Sequence, residues 1–148
     1  MTFEFWFPNP PVEESVIMSF ETFVGCKLPD SYREFLALSN GGEKPKLENF
    51  TVLETGERTM LSTLYSLAPD GKGELFDEYL ALRQEIPADL ISIGHDIGGN
   101  KLCLAIQGSE RGKLLFYDHE LRSFNRKSTR KNFNVCANSF VDFLQGLN

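Results

Sequence analysis

The sequence predicts an α+β fold, a mostly antiparallel sheet with amphipathic helices at both ends of the chain packed on one side. Three observations predict it. Apolar residues recur at helical spacing near both ends, as Val16, Ile17, Phe20, Phe23 and Val24 and again as Phe140, Phe143, Leu144 and Leu147. The middle of the chain instead holds short apolar runs bounded by Gly- and Asp-containing turns. The connections between the later runs are too short for helical crossovers, so they read as hairpins and hence as antiparallel pairing. Helices flanking a strand-rich centre are the α+β arrangement.

Each element has its own signal. Pro8, Pro10 and Pro11 separate the aromatic start from the first helical stripe. Pro11 is read as opening the first helix, with Glu13 and Glu14 in a first turn where acids suit the dipole. Gly25 ends that helix. Pro29 and Asp30 start a second, with Tyr32, Phe35 and Leu36 on one face, and Asn40-Gly41-Gly42 stops it because these residues tolerate the left-handed conformation. Phe50 to Leu53 and Met60 to Tyr65 read as strands, Pro69 to Gly73 as a turn. Phe76, Tyr79 and Leu80 form a third helical stripe ended by Pro87. Leu90 to Ile93, Leu102 to Ile106 and Lys113 to Tyr117 read as three further strands, and Asn138 or Ser139 caps the last helix. The Phe3-to-Phe7 segment reads equally as an edge strand, a dimer contact or a strip packed on the core.

At 148 residues, with no internal repeat and no long linker, residues 1–148 are expected to form a single domain able to bury its own core. The net charge of -6 disfavours binding to phosphate backbones and suits a basic partner, although charge of this size also serves solubility alone. The three cysteines, Cys26, Cys103 and Cys136, are far apart and form no CxxC pair, which argues against a zinc or redox motif and for a reducing compartment. Cys103 and Cys136 read as packed small hydrophobes. The apolar N-terminus lacks a basic leader and a cleavage site, and no apolar run reaches membrane-spanning length. The expected location is the cytoplasm, without a bound cofactor.

Two His–Asp neighbours, His95-Asp96 and Asp118-His119, are the chemistry-bearing candidates for a small-ligand or metal-dependent enzyme. Neighbours on a strand point to opposite faces, so neither pair converges automatically, and polar residues are ordinary at strand ends. The Gly94-to-Asn100 loop has neither GK[ST] nor GxGxxG, and no GxSxG or HExxH occurs. Charge is more informative. Between Glu74 and Asp96 lie six acids against one base, Arg83; between Arg122 and Lys131 lie five bases and no acid. With Phe124 as its one aromatic, the basic run reads as a solvated loop, not a nucleic-acid module.

Several segments, in order along nearly the whole chain, resemble the SUKH superfamily (SMI/KNR-like domains). Leu28-Pro29-Asp30-Ser31-Tyr32-Arg33-Glu34-Phe35-Leu36 followed by Ser39-Asn40-Gly41-Gly42 is similar to the family's LPxxYxxFL…NGG helix and stop. Ile93-Gly94-His95-Asp96-Ile97-Gly98-Gly99-Asn100 resembles its IGxDxGGN loop. Gly112 to Glu120 resembles its GxVYFWDHE strand, with Phe116-Tyr117 where the family often has tryptophan, and Ala137 to Leu144, with Phe140, Phe143 and Leu144, resembles its final AxSFxxFL helix. The segment Phe124 to Val135 looks longer and more basic than usual in the family. These motifs read as fold-making. The resemblance implies a non-enzymatic immunity protein that neutralises a cognate toxin by occluding its active surface, through an acidic concave face laid over a basic one. Asp77, Glu78, Asp96, Asn100, Tyr117, Asp118 and Glu120 are the candidate partner contacts. It also implies a rival, a regulatory scaffold of the cell-wall synthesis type.

Overall fold

The computed structural model describes residues 3–121 and 127–148, and among these the α+β expectation holds, with helices alternating with an antiparallel sheet. In chain order the elements are β1 (Phe5–Pro8), α1 (Glu14–Val24), α2 (Asp30–Leu38), β2 (Gly42–Pro45), β3 (Asn49–Thr51), β4 (Arg58–Leu64), α3 (Glu74–Leu82), β5 (Leu90–Asp96), β6 (Lys101–Ala105), β7 (Leu114–Tyr117), β8 (Phe133–Ala137) and α4 (Phe140–Gly146). The sheet runs β1-β2-β4-β5-β6-β7-β8, and β3 pairs with β4.

The helix signals act as their chemistry requires, with one adjustment. α1 begins at Glu14 with Glu13 as its cap, so Pro11 lies ahead of the helix and not inside it. Gly25 closes α1 at φ +95°, its amide donating to the Glu21 carbonyl. Beyond α2, Asn40 sits at φ +52° and is only 1% exposed. Its Nδ2 donates to the Pro10 carbonyl at 2.7 Å and the Leu67 carbonyl at 2.9 Å, and its Oδ1 accepts the Leu67 amide at 2.9 Å. The helix stop therefore also ties the N-terminal segment to the chain beyond β4. Ser139 caps α4 by accepting the Asp142 amide.

Strand alternation divides the core in two. Leu102 and Leu104 of β6, Ile91 and Ile93 of β5, and Leu114 and Phe116 of β7 meet Ile17 and Phe20 of α1, Leu28 at the entrance to α2, Tyr32, Phe35 and Leu36 of α2, and Phe140 and Phe143 of α4. The helices from both ends of the chain thus share one cluster. Cys103, Leu115, Tyr117 and Phe133 form a second cluster on the opposite face, with Leu82 and Ile86. α3 serves both, with Leu75 in the first and Leu82 in the second. All three cysteines are free, and burial pushes the Cys136 thiol up to about 12.

The two ends of the sheet differ. Outside β8, the amides of Leu53 and Glu54 donate to the carbonyls of Cys136 and Val135, so this edge is covered. Outside β1, no strand is paired among the described residues. β1 is therefore an edge strand, carrying Trp6 and Phe7 at 61% and 63% exposure.

Candidate functional site

One row of direct cross-strand partners crosses the centre of the sheet. Glu43 of β2 is opposite Thr63 of β4, Thr63 is opposite His95 of β5, and His95 is opposite Lys101 of β6. Lys101 neighbours Cys103 at strand spacing, which places the polar row on the face of the second cluster. α3 reaches this row: Glu78 Oε1 lies 2.7 Å from Lys101 Nζ. Tyr65, just past β4, joins the two strands that carry His95 and Lys101, its hydroxyl 2.9 Å from His95 Nδ1 and 3.4 Å from the donating Lys101 Nζ.

The electrostatics are set by burial and by an excess of carboxylates. Burial, then the Lys101 ammonium, holds His95 below its ordinary value, so the neutral imidazole is favoured. Burial raises the Tyr65 hydroxyl, and the Glu78 carboxylate adds to that. The Glu74 carboxyl is raised first by burial and then by Glu43 and Glu78. Lys101 neutralises Glu78, while neither Glu43 nor Glu74 has an ion pair among the described residues. This face is therefore one on which a positive charge would be welcome.

The residues expected as partner contacts fall into three groups. Asp77 on α3 and Glu120 are exposed, or nearly so, and Asp118 is half-buried with Oδ1 accepting the Glu120 amide at 2.9 Å. Glu78 and Asn100 are half-buried and engaged. Asn100 Oδ1 accepts the His119 amide at 3.2 Å and lies 2.8 Å from His119 Nδ1. Asp96 and Tyr117 require correction, because they have almost no surface to offer, at 3% and 1% exposure. Asp96 turns inward to accept from the Gly98 amide, the Asn100 amide, Asn100 Nδ2 and Thr59 Oγ1 at 2.8–3.0 Å. Tyr117 stacks on Phe133 with centroids 4.6 Å apart, and its hydroxyl meets Ser128 Oγ at 2.5 Å.

Neither His–Asp pair forms a dyad. His95 bonds to Tyr65 while Asp96 holds its own turn, and His119 bonds to Asn100 while Asp118 caps Glu120. Among the described residues no group of three or more His, Cys, Asp and Glu is placed to hold a metal ion, and no helix is long and apolar enough to cross a membrane. Of the basic run, Arg122, Phe124 and Arg126 lie outside the described residues. Arg130 is committed to Glu110, through Nε at 2.6 Å and Nη2 at 3.0 Å.

Glu43, Glu74, Tyr65 and Lys101 were not among the sequence candidates. Glu43 lies in the Gly-Glu-Lys-Pro stretch of β2, which carries no strand signature, and Glu74 stands at the start of the acidic run with nothing local to distinguish it. The available signal was the run itself, since α3 lays part of it over the polar row.

Comparison with known proteins gives two findings. The SMI1 / KNR4 family (SUKH-1) model matches residues 11–146. The SPbeta prophage-derived uncharacterized protein YokK of Bacillus subtilis (strain 168) is 31% identical over 145 residues, covering 86% of this chain and 70% of that protein. With the helix stop, the clamped GGN turn and the capped last helix in place, the chain belongs to the SMI1/KNR4 (SUKH-1) family.

Proposed function

We propose that the protein is an immunity protein that binds a cognate toxin and covers its basic working surface. The observation that carries this reading is the carboxylate excess at the polar row: Glu43 of β2 and Glu74 of α3 take no ion pair among the described residues, and Lys101 is matched to Glu78. A lysine or arginine from a partner would balance that excess. Complementary charge of this kind chiefly raises the association rate and fixes the partner's orientation. Occlusion needs no bond chemistry from this chain, consistent with two histidines engaged in local hydrogen bonds.

The test is association of the purified protein with the product of the neighbouring gene, at low and high salt. A one-to-one complex that forms more slowly as salt rises is expected. Glu74→Gln and Glu43→Gln should slow association severalfold. Glu74→Gln should at the same time raise Tm, because removing the charge also removes its cost in the free protein. A salt-independent complex, or none, would count against the acidic face and leave the regulatory scaffold as the better account.

A further inference from the structure

His95 stands inside the polar row, in direct register with Thr63 on one side and Lys101 on the other, and is the group there whose charge changes nearest to neutrality. Charged and titratable groups approach it from each element packed around it: Glu43 of β2, Tyr65 just past β4, Asp96 next in β5, Lys101 of β6, and Glu78 of α3, with Glu74 one turn earlier on the same helix. A hydrogen-bond chain fixes its ring. Lys101 Nζ can only donate, so the Tyr65 oxygen accepts there, and the hydroxyl proton is directed to His95 Nδ1, 2.9 Å away. The neutral ring therefore carries its hydrogen on Nε2 and keeps Nδ1 as the atom that takes up a proton.

Proton uptake reverses that contact. Nδ1–H becomes a donor, and two cations, Lys101 and His95, then converge on one hydroxyl oxygen. The row has gained a positive charge two strands, or about 10 Å, from Glu43. A gain of one charge at a fixed place has a fixed sign whatever else borders the row: it weakens the hold on a cation. Glu74 works in the same direction. Its carboxyl, raised by burial and then by Glu43 and Glu78, takes up a proton at a higher pH than an ordinary carboxyl. Burial and then Lys101 hold His95 below its ordinary value, which places its proton uptake on the acid side of 6.5.

We propose that the polar row is an acid-operated release, in which a proton taken up at His95 Nδ1 frees a cationic side chain that the row holds near neutrality. The cation as occupant rests on the acidic-face reading above; the hydrogen-bond chain does not. By linkage, a bound cation must in turn make His95 harder to protonate. The test titrates the full chain with N-acetyl-tetralysine amide, whose own charge is the same at pH 7.5 and 5.5, followed by amide and histidine-ring NMR at low salt. At pH 7.5 saturable shifts at Glu43, Glu74 and Lys101 are expected, with Nδ1 as the His95 ring nitrogen that carries no hydrogen. At pH 5.5 the dissociation constant should rise at least about threefold, and saturating peptide should lower the midpoint of the His95 ring. His95→Gln should shrink the difference between the two pH values, while His119→Gln, at the histidine held by Asn100, should retain it. A dissociation constant equal at both pH values, a His95 midpoint unmoved by the peptide, a hydrogen on Nδ1 at pH 7.5, or a pH dependence kept in full by His95→Gln would overturn the release and leave the acidic face standing. Absence of saturable shifts at pH 7.5 would overturn the acidic face, and the release with it.

Discussion

Asp96 shows how a residue that reads as functional can be consumed by geometry. Its carboxylate, 3% exposed, gathers four donors from one turn and from β4. Truncation of a buried carboxylate with this many donors leaves those donors without partners. Asp96→Ala is expected to cost on the order of 3 kcal/mol in urea denaturation, with Asp96→Asn costing less because one oxygen still accepts. Tyr117 departs from expectation for a related reason: its place at a strand end suggests exposure, yet the chain at Ser128 closes over it. His95 gives a pH prediction. Its folded value is held below 6.5, so the native state binds fewer protons than the unfolded chain as the medium is acidified. Stability linked to His95 is full above about pH 6.5 and declines as pH falls toward the folded value. Denaturation midpoints at pH 7.5 and 5.5 should therefore differ more for the native protein than for His95→Gln.

At the scale of elements, two glycines that look alike in sequence do different work. Gly25 closes α1 at φ +95° with nothing within 4 Å of where a methyl group would stand, so Gly25→Ala should cost only the left-handed penalty of about 1–2 kcal/mol. Gly41, at φ +71°, would place the same methyl 2.4 Å from the Leu64 carbonyl oxygen, against backbone that cannot step aside. Gly41→Ala should cost more than Gly25→Ala by at least about 2 kcal/mol, read from thermal or urea unfolding. Helices α1, α2 and α4 were legible because long periodic stripes leave one choice of face. Strands β2 and β8 were not. Gly42 to Pro45 has neither alternation nor β-branched residues, and Phe133 to Ala137 follows directly on the basic run, whose charge dominates the local pattern. Both become strands because tertiary neighbours complete their pairing, which no local pattern records. The polar row was hidden for the same reason, since it needs the register of four strands at once.

For the whole molecule, the net charge of -6 and the carboxylates facing the polar row predict that encounter with a basic partner depends on ionic strength. Between about 50 and 500 mM salt the association rate should fall by roughly an order of magnitude or more while dissociation changes much less, as stopped-flow mixing would show. The two-sided core holds such a surface rigid. α1, α2 and α4 fill one face of the sheet, and Tyr117, Phe133, Leu82 of α3 and Ile86 anchor the other beside the polar row. The unequal ends of the sheet limit how copies of the molecule can join. Among the described residues, the chain beyond Val52 already occupies the outside of β8, and β1 is left with an unpaired margin. A sheet with one closed end can accept a single added strand and then has no second margin to pass on. Strand pairing across the β1 margin would therefore join two copies as a closed pair.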